Sequence, residues 1–567
     1  MKPTPEMPDF VIDEPLLDSP AVGCGHLPLL WVFLPLALIH TACFTGDWHL
    51  PGTGLALFAL GGAGVLLLSW KYPKHTLAWA CFHILAISGA ALLLFAGRVP
   101  PLVDWVGLPP RETSLVLRWE QVFAIRASGK TINGLARVIE APPFVPGLHG
   151  TLIHCQMRKP VPTVLGERGA VFAITGVLES MKNRLSNGYA DDADFVNYLE
   201  NRRVTLSLSR CRAVEVIHEP PSLLRWCARQ RDYFEGVLER GLEEQHNIAP
   251  LYIGMLLGKS SGIDREMRNS FARTGTAHLF SVSGLHVGMI AAMLFQLGRF
   301  FRIADKPWRI TVIALMFVFV MITSGAPAAL RAWLMVSCIL MARLINRRGS
   351  SAAGLALAAT GTLLWAPELW LDISFQLSYG VVTALVFYGI PLSTWIGERW
   401  QPFADLPVTS RRWRHRLALR AKNWLVGSLC ISTAATLASA PLVITHFKLF
   451  SAGSLLANLL VIPLAFPVML LGVVSMAMGL CGLDALSMAA NWLAGWDLQL
   501  LELLVRTASG LPGMAWELEY RAPWFGRVSV LLLLGSLLLL SLGKNSRGWH
   551  FFIPPGILAL SLLLGTH

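Results

Sequence analysis

The chain has 567 residues, 54% of them hydrophobic and only 14% charged, where a soluble domain carries roughly 25% charged residues. That balance excludes an ordinary soluble enzyme and points to a membrane protein. The net charge of +12 lies in clusters between apolar runs, so it does not by itself mark a nucleic-acid surface.

From the N-terminus, the first 26 residues carry Glu6, Asp9, Asp13, Glu14 and Asp18. A signal peptide opens with positive charge, so the first apolar run is expected to be a retained anchor. Apolar runs follow at 27–44, 52–70, 77–97, 279–297, 310–323, 328–345, 352–366, 377–396, 425–444, 455–480, 528–542 and 551–564. At about 20 residues per span, they predict a polytopic α-helical membrane protein of about 11 to 13 spans. The stretch 483–511 is amphipathic and reads as a span or an interfacial helix.

Lys and Arg cluster at 71–74, 299–309, 343–348 and 399–422, each time between two spans. Cytoplasmic loops collect these residues. Placing all four clusters inside gives one topology, with the N-terminus cytoplasmic and residues from about 100 to 273 external. Topology is also the simplest reading of the basic run 411–416 (RRWRHR), with nucleic-acid contact as the alternative.

The polar block 111–220 has short runs rich in Val, Ile and Thr at 134–140, 150–157, 170–178 and 204–216, mostly separated by Pro and Gly. This is strand punctuation, and it predicts a small external all-β domain, a barrel of OB-like form. From 111 to 219 there are 14 Lys and Arg against 11 Asp and Glu, so the block is not strongly basic. Cys155 and Cys211 are the two of nine cysteines in it, and an oxidising compartment would let them pair. Residues 223–245 read as an amphipathic helix. The organisation predicted is 1–110 as an N-terminal membrane region of three spans, 111–220 as the barrel, 221–275 as a helical connector, and 276–567 as the main membrane domain.

Polar residues inside spans are costly and usually face a cavity, a partner helix or a substrate path. Four segments stand out: 275–288 (GTAHLFSVSGLHVG), 324–332 (SGAPAALRA), 367–380, with Asp372 and FQLS at 375–378, and 440–463, with Asn458 and Pro463. Taken alone, the first reads equally as helix–helix glue. Arg331 in the second could simply snorkel to the interface.

These four segments, in this order, resemble the ComEC competence family, whose membrane domain carries HL-x-x-SGLHVG, Gly…Arg-Ala, FQLS and P-L…F…N-L-L-x-x-P elements. The stretch 187–199, containing Asn187, Gly188, Tyr189 and Tyr198, is similar to that family's NPGGFDY-x-x-YL. Ala328 and Ala329 replace polar residues usual before the Arg-Ala pair. The HxHxDH ligand run of the metallo-β-lactamase-like domain that ends many relatives does not occur here, and His550 and His567 stand apart. Clustered His and Asp are needed for dinuclear hydrolysis, so no nuclease activity, metal or other cofactor is expected of this chain.

The resemblance implies a channel importing single-stranded DNA across the bacterial inner membrane during natural transformation. His278, Ser281, Ser283, His286, Arg331, Gln376, Ser378 and Asn458 would line or shape the path, with Gly284, Gly288 and Pro463 setting its backbone. The nearest approach to a phosphate-binding loop is 254–260 (GMLLGKS), whose glycines are spaced too closely. A separate cytoplasmic motor ATPase, an external DNA receptor and a separate nuclease are therefore expected as partners. Two alternatives stay open: transport of another polymer or a lipid-linked substrate, since a fold does not fix its cargo, and an intramembrane hydrolase. The hydrolase would use Ser281 or Ser283 with His278 or His286 and would need Asp372 brought to them.

Overall fold

The computed structural model describes residues 28–566 except 72–75, 101, 104–108, 124–130, 144–146, 159–166, 187–192, 244–246, 260–261, 324, 347–349, 408–409 and 543–547. The acidic N-terminal residues, Cys24, Asn187, Gly188, Tyr189 and His567 lie outside the described residues.

Three helices open the chain: α1 (Pro28–Gly46), α2 (Pro51–Lys71) and α3 (Thr76–Arg98). Glycines let α2 and α3 touch backbone to backbone. A Cβ at Gly61 would lie 2.3 Å from the Ala86 nitrogen, and one at Gly89 would lie 2.3 Å from the Phe58 nitrogen. Apolar helices in lipid associate through such close approach because lipid supplies no hydrophobic drive between them.

A five-stranded closed barrel follows, consistent with an OB-like fold: β1 (Arg111–Val122), β2 (Thr131–Glu140), β3 (Leu152–Arg158), β4 (Val171–Ser180) and β5 (Leu206–His218). The order around it is β1-β2-β3-β5-β4. All pairs are antiparallel except β3 and β5. Alternation fills the interior: Leu115, Leu117 and Trp119 from β1 meet Phe172, Ile174 and Leu178 from β4. Side chains on one face of a strand recur every second residue. Gly134 is required where β1 bulges between Trp119 and Gln121, since a Cβ there would sit 2.3 Å from the Gln121 carbonyl oxygen. Between β4 and β5 come α4 (Met181–Ser186) and α5 (Ala193–Asn201), with Val196 and Leu199 packed on Leu135.

The remaining helices are α6 (Ser222–Glu239), α7 (Ile248–Leu257), α8 (Arg265–Arg273), α9 (Gly284–Phe300), α10 (Asp305–Ile322), α11 (Pro327–Leu344), α12 (Ser351–Trp365), α13 (Ile373–Ala384), α14 (Ile390–Arg399), α15 (Trp413–Phe447), α16 (Ser454–Leu480), α17 (Asp484–Ser509), α18 (Pro523–Leu542) and α19 (Ile553–Gly565). A π-turn at Leu385–Gly389 joins α13 to α14. A two-stranded ribbon pairs β6 (Leu449–Phe450) with β7 (Trp516–Glu517). Among the described residues, five helices are long and apolar enough to cross a membrane: Cys81–Arg98, Pro327–Leu344, Ile373–Arg399, Trp413–Phe447 and Ser454–Leu480. Seven shorter apolar helices accompany them, so this is an integral membrane protein.

The amphipathic stretch near 483–511 is α17. Its buried residues Ala494, Leu498, Leu501 and Val505 join the core around α7, and Asn491 donates to the Val237 and Arg240 carbonyls at 2.8 and 3.0 Å. The apolar run 279–297 opens with a 3-10 turn (Ala277–Phe280) and extended residues, and α9 starts only at Gly284. Prolines in the fourth segment are expected to interrupt a span, yet Pro441 and Pro463 lie inside helices without ending them. The break in that segment falls between Phe447 and Ser454.

Candidate functional site

The four polar segments meet one another in space. Ser451 donates to the Ala272 carbonyl at 3.0 Å. Gly275 is left-handed at φ +72°, and a Cβ on it would lie 2.5 Å from Ser454 Cβ, so the first segment needs glycine to fit against the fourth. A Cβ on Gly284 would meet Ala332 at 3.6 Å, which joins the first segment to the second. Arg331 joins the second to the third, donating to the Ser374 carbonyl at 2.6 Å and to its hydroxyl at 2.7 Å.

Within the first segment the side chains divide. Ser283 caps α9 by accepting from the His286 N–H, and His286 Nδ1 accepts from the Ser283 N–H at 3.2 Å. This is a capping box. His286 is fully buried. With Nδ1 accepting, a neutral ring carries its proton on Nε2, and that nitrogen has no partner among the described residues. His278, Ser281, Gly284 and Gly288 are exposed, and the Ser281 hydroxyl donates to the His278 carbonyl at 3.4 Å. Gly284 and Gly288, four residues apart, share one helix face, and both are exposed, as is Gln296 farther along α9. A Cβ on Gly288 would meet nothing within 4 Å.

In the third segment Gln376 donates to the Trp370 carbonyl at 3.2 Å, and Ser378 is half-buried. In the fourth, Asn458 Oδ1 is buried without a hydrogen-bond partner among the described residues, while Pro463 is exposed. Asp372 is not brought to the histidines. It caps α13 by accepting from the Ser374 N–H at 2.7 Å, and its other oxygen forms an ion pair with Arg202.

That ion pair belongs to a seam between barrel and membrane helices that the sequence reading did not find. Arg203 pairs with Asp47 at the end of α1 and lies over the Phe44 and Phe95 rings at 5.6 and 5.7 Å. Arg137 of β2 reaches Glu368 at 3.8 Å and donates to Glu120 at 3.1 Å. Burial alone would raise Glu120, but bonds from Arg118 and Arg137 outweigh it and hold the carboxyl below its usual range. Glu368 goes the other way, because loss of water pushes its carboxyl up despite Arg137 nearby. The only sequence signal for the seam was the pair Arg202-Arg203 beside a short helix, and Arg203 is a non-glycine residue at φ +59°, the kind of position that invites inspection.

Among the described residues, no three His, Cys, Asp or Glu side chains gather to hold a metal ion. Cys155 and Cys211 both carry free thiols, and they are close enough to hydrogen-bond to each other.

The family model for Competence protein matches residues 255–543, a stretch holding all four segments. The chain belongs to the competence protein family. Among curated relatives, ComE operon protein 3 of Bacillus subtilis is 28% identical over 211 residues, 37% of this chain and 24% of the relative. An uncharacterized Escherichia coli protein, YcaI, is 28% identical over 284 residues, 48% of this chain and 35% of its own length. Recombination protein 2 of Haemophilus influenzae is 23% identical over 221 residues, 38% of this chain and 26% of the relative. The chain thus spans about a quarter to a third of the length of these curated relatives. No solved structure matches it.

Proposed function

We propose that this competence-family chain forms the membrane path along which a single strand of DNA passes into the cytoplasm. Membership of the family implies a role in DNA uptake. The observation that carries the path itself is the exposed pair Gly284 and Gly288 on one face of α9, with the polar His278 and Ser281 exposed just before that helix. Exposed polar groups such as these are costly against lipid tails and suit a watery route. Such a route must solvate phosphates without trapping them.

In this reading α1–α3 anchor the chain, the barrel receives the strand outside, and residues 276–567 form the path. The two ends of the helix α13–α14 support that orientation. Its start carries Asp372 and the barrel contact, while near its end the Gly397 carbonyl accepts from Lys422 of the basic cluster. A motor, a receptor and a nuclease remain expected partners.

The test is uptake of fluorescently labelled DNA into the cytoplasm of a transformable host lacking this gene. Complementation by the wild-type chain should restore uptake, and complementation by Gly288→Leu at equal expression should not. Unchanged uptake in the deletion strain would sink the reading.

A further inference from the structure

Arg202, Arg203 and Arg331 come from two separate parts of the chain and converge where the barrel rests on α13. Their carboxylate partners are Asp372 and Asp47, so three guanidiniums face two acids. Asp372 is 2% exposed and Arg202 13% exposed at the side chain, and Arg331 also interacts electrostatically with Asp372. Three donors in this cluster are buried without a hydrogen-bond acceptor among the described residues: Arg202 Nε, Arg203 Nη1 and Arg331 Nε. Buried donors normally find acceptors, and each one left over calls for an explanation. Asp372 Oδ2 also lacks a hydrogen bond among the described residues, its contact with Arg202 being an ion pair, so what the cluster lacks is negative charge in a geometry that reaches these nitrogens. A phosphodiester supplies that charge, with a fork of oxygens that arginine matches.

We propose that this cluster is a phosphate-exchange site: a backbone phosphate of the incoming strand takes Arg202 from Asp372, so that binding the strand and parting the barrel from α13 are one event. The proposal rests on the reading of the chain as a DNA path and adds how that path is closed at rest. Asp372 holds the guanidinium that a phosphate would take. It is well suited to this because it is also the N-cap of α13, so losing Arg202 leaves it a partner in the Ser374 N–H. The Gln121 side chain, which accepts from Arg202 at 2.7 Å, and the Tyr198 ring, 5.0 Å from its guanidinium, keep Arg202 aimed once the carboxylate is released. The device is sensitive to salt in both directions, since ions screen the ion pair and the phosphate contact alike.

The experiment uses the full chain in lipid nanodiscs, a labelled 20-nucleotide single strand, and an uncharged morpholino of the same sequence. Binding is read by fluorescence anisotropy across a salt series, and hydrogen exchange is followed at 193–206 and 366–374. The wild type is expected to bind the strand over the morpholino, with faster exchange in both segments when the strand is bound. Asp372→Asn removes the competitor, so it is expected to bind about threefold tighter or more and to exchange fast at the seam without DNA. Arg202→Gln is expected to bind more weakly and to lower the salt slope by about 0.7, one phosphate contact on a single strand. Asp305→Asn, which removes the exposed acid of an ion pair within α10, controls for charge alone. Strand binding that is unchanged by Asp372→Asn and Arg202→Gln, or a seam that stays protected while the strand is bound, overturns the exchange and leaves the path reading standing. Failure of the wild type to bind the strand at all overturns both.

Discussion

Arg331 donates to both oxygens of Ser374, at 2.6 and 2.7 Å, and so ties α11 to the first turn of α13. The two bonds are unequal in what they guard. A single interhelical hydrogen bond in a membrane averages about 0.6 kcal/mol, so Ser374→Ala, which keeps the carbonyl bond, should cost roughly that. Arg331→Met removes both bonds at once, together with the attraction between the cation and Asp372, which keeps its ion pair with Arg202. Arg331→Met should therefore lower the thermal midpoint of the detergent-solubilised chain far more than Ser374→Ala. Equal shifts would mean that Arg331 acts as a packing residue only.

Two glycines separate path from packing. A side chain at Gly288 meets open space, whereas a Cβ at Gly472 would fall 2.2 Å from Leu256. Gly288→Leu is expected to express and melt like the wild type while blocking uptake. Gly472→Ala should cost about 1–3 kcal/mol by overpacking, with lower yield from the membrane. Size-exclusion profiles and thermal midpoints measure both.

The sequence made the helices legible because apolar runs of span length have few alternatives in water, and strands β2 to β5 showed through their alternation and turns. Strand β1 was missed. Its inward residues Thr113, Leu115, Leu117 and Trp119 do alternate, but Arg111, Glu112, Arg118 and Glu120 dilute the run. Helix α7 also escaped, since 10 apolar residues are too short to read as a span, and it is buried as core instead. The four polar segments were legible as motifs, yet their roles were not. Ser283 and His286 cap a helix, and Arg331 does not snorkel outward but is 3% exposed. The Arg202–Asp372 pair joins residues 170 positions apart, and no local pattern encodes such a contact.

The seam should also respond to pH, through two carboxyls whose shifts run in opposite directions. Glu120 is held below its ordinary value of 4.5 by Arg118 and Arg137 against the effect of burial. Its contribution is present above that value and is lost as pH falls through the depressed one. Glu368 is pushed above 4.5 by burial, so its charged form weakens the fold at neutral pH and the deficit fades on acidification. Glu120→Gln should therefore lower the thermal midpoint at pH 7, with the gap to wild type closing below pH 4.5. Glu368→Gln should raise it at pH 7, with that gain also vanishing toward acid. A shared direction for the two variants at pH 7 would contradict the assignment.

Cys155 and Cys211 set the last expectation. Cys155 on β3 sits opposite Leu208 of β5, three residues before Cys211. The hydrogen bond from Cys211 and then burial push the Cys155 thiol up. The thiolate is the species that reacts, so bridging should be slow at neutral pH and faster in alkali. If the barrel faces an oxidising compartment, the bridge should form there, and closing a loop of this size stabilises by about 4 kcal/mol in the chain-entropy model. A reducing agent should then lower the thermal midpoint of the membrane-extracted wild type and leave Cys211→Ser unmoved. Mass spectrometry of non-reduced peptides should find 155 joined to 211. Two free thiols in protein taken straight from the membrane under alkylation would place the barrel's cysteines among its packing residues, where their burial already suits them.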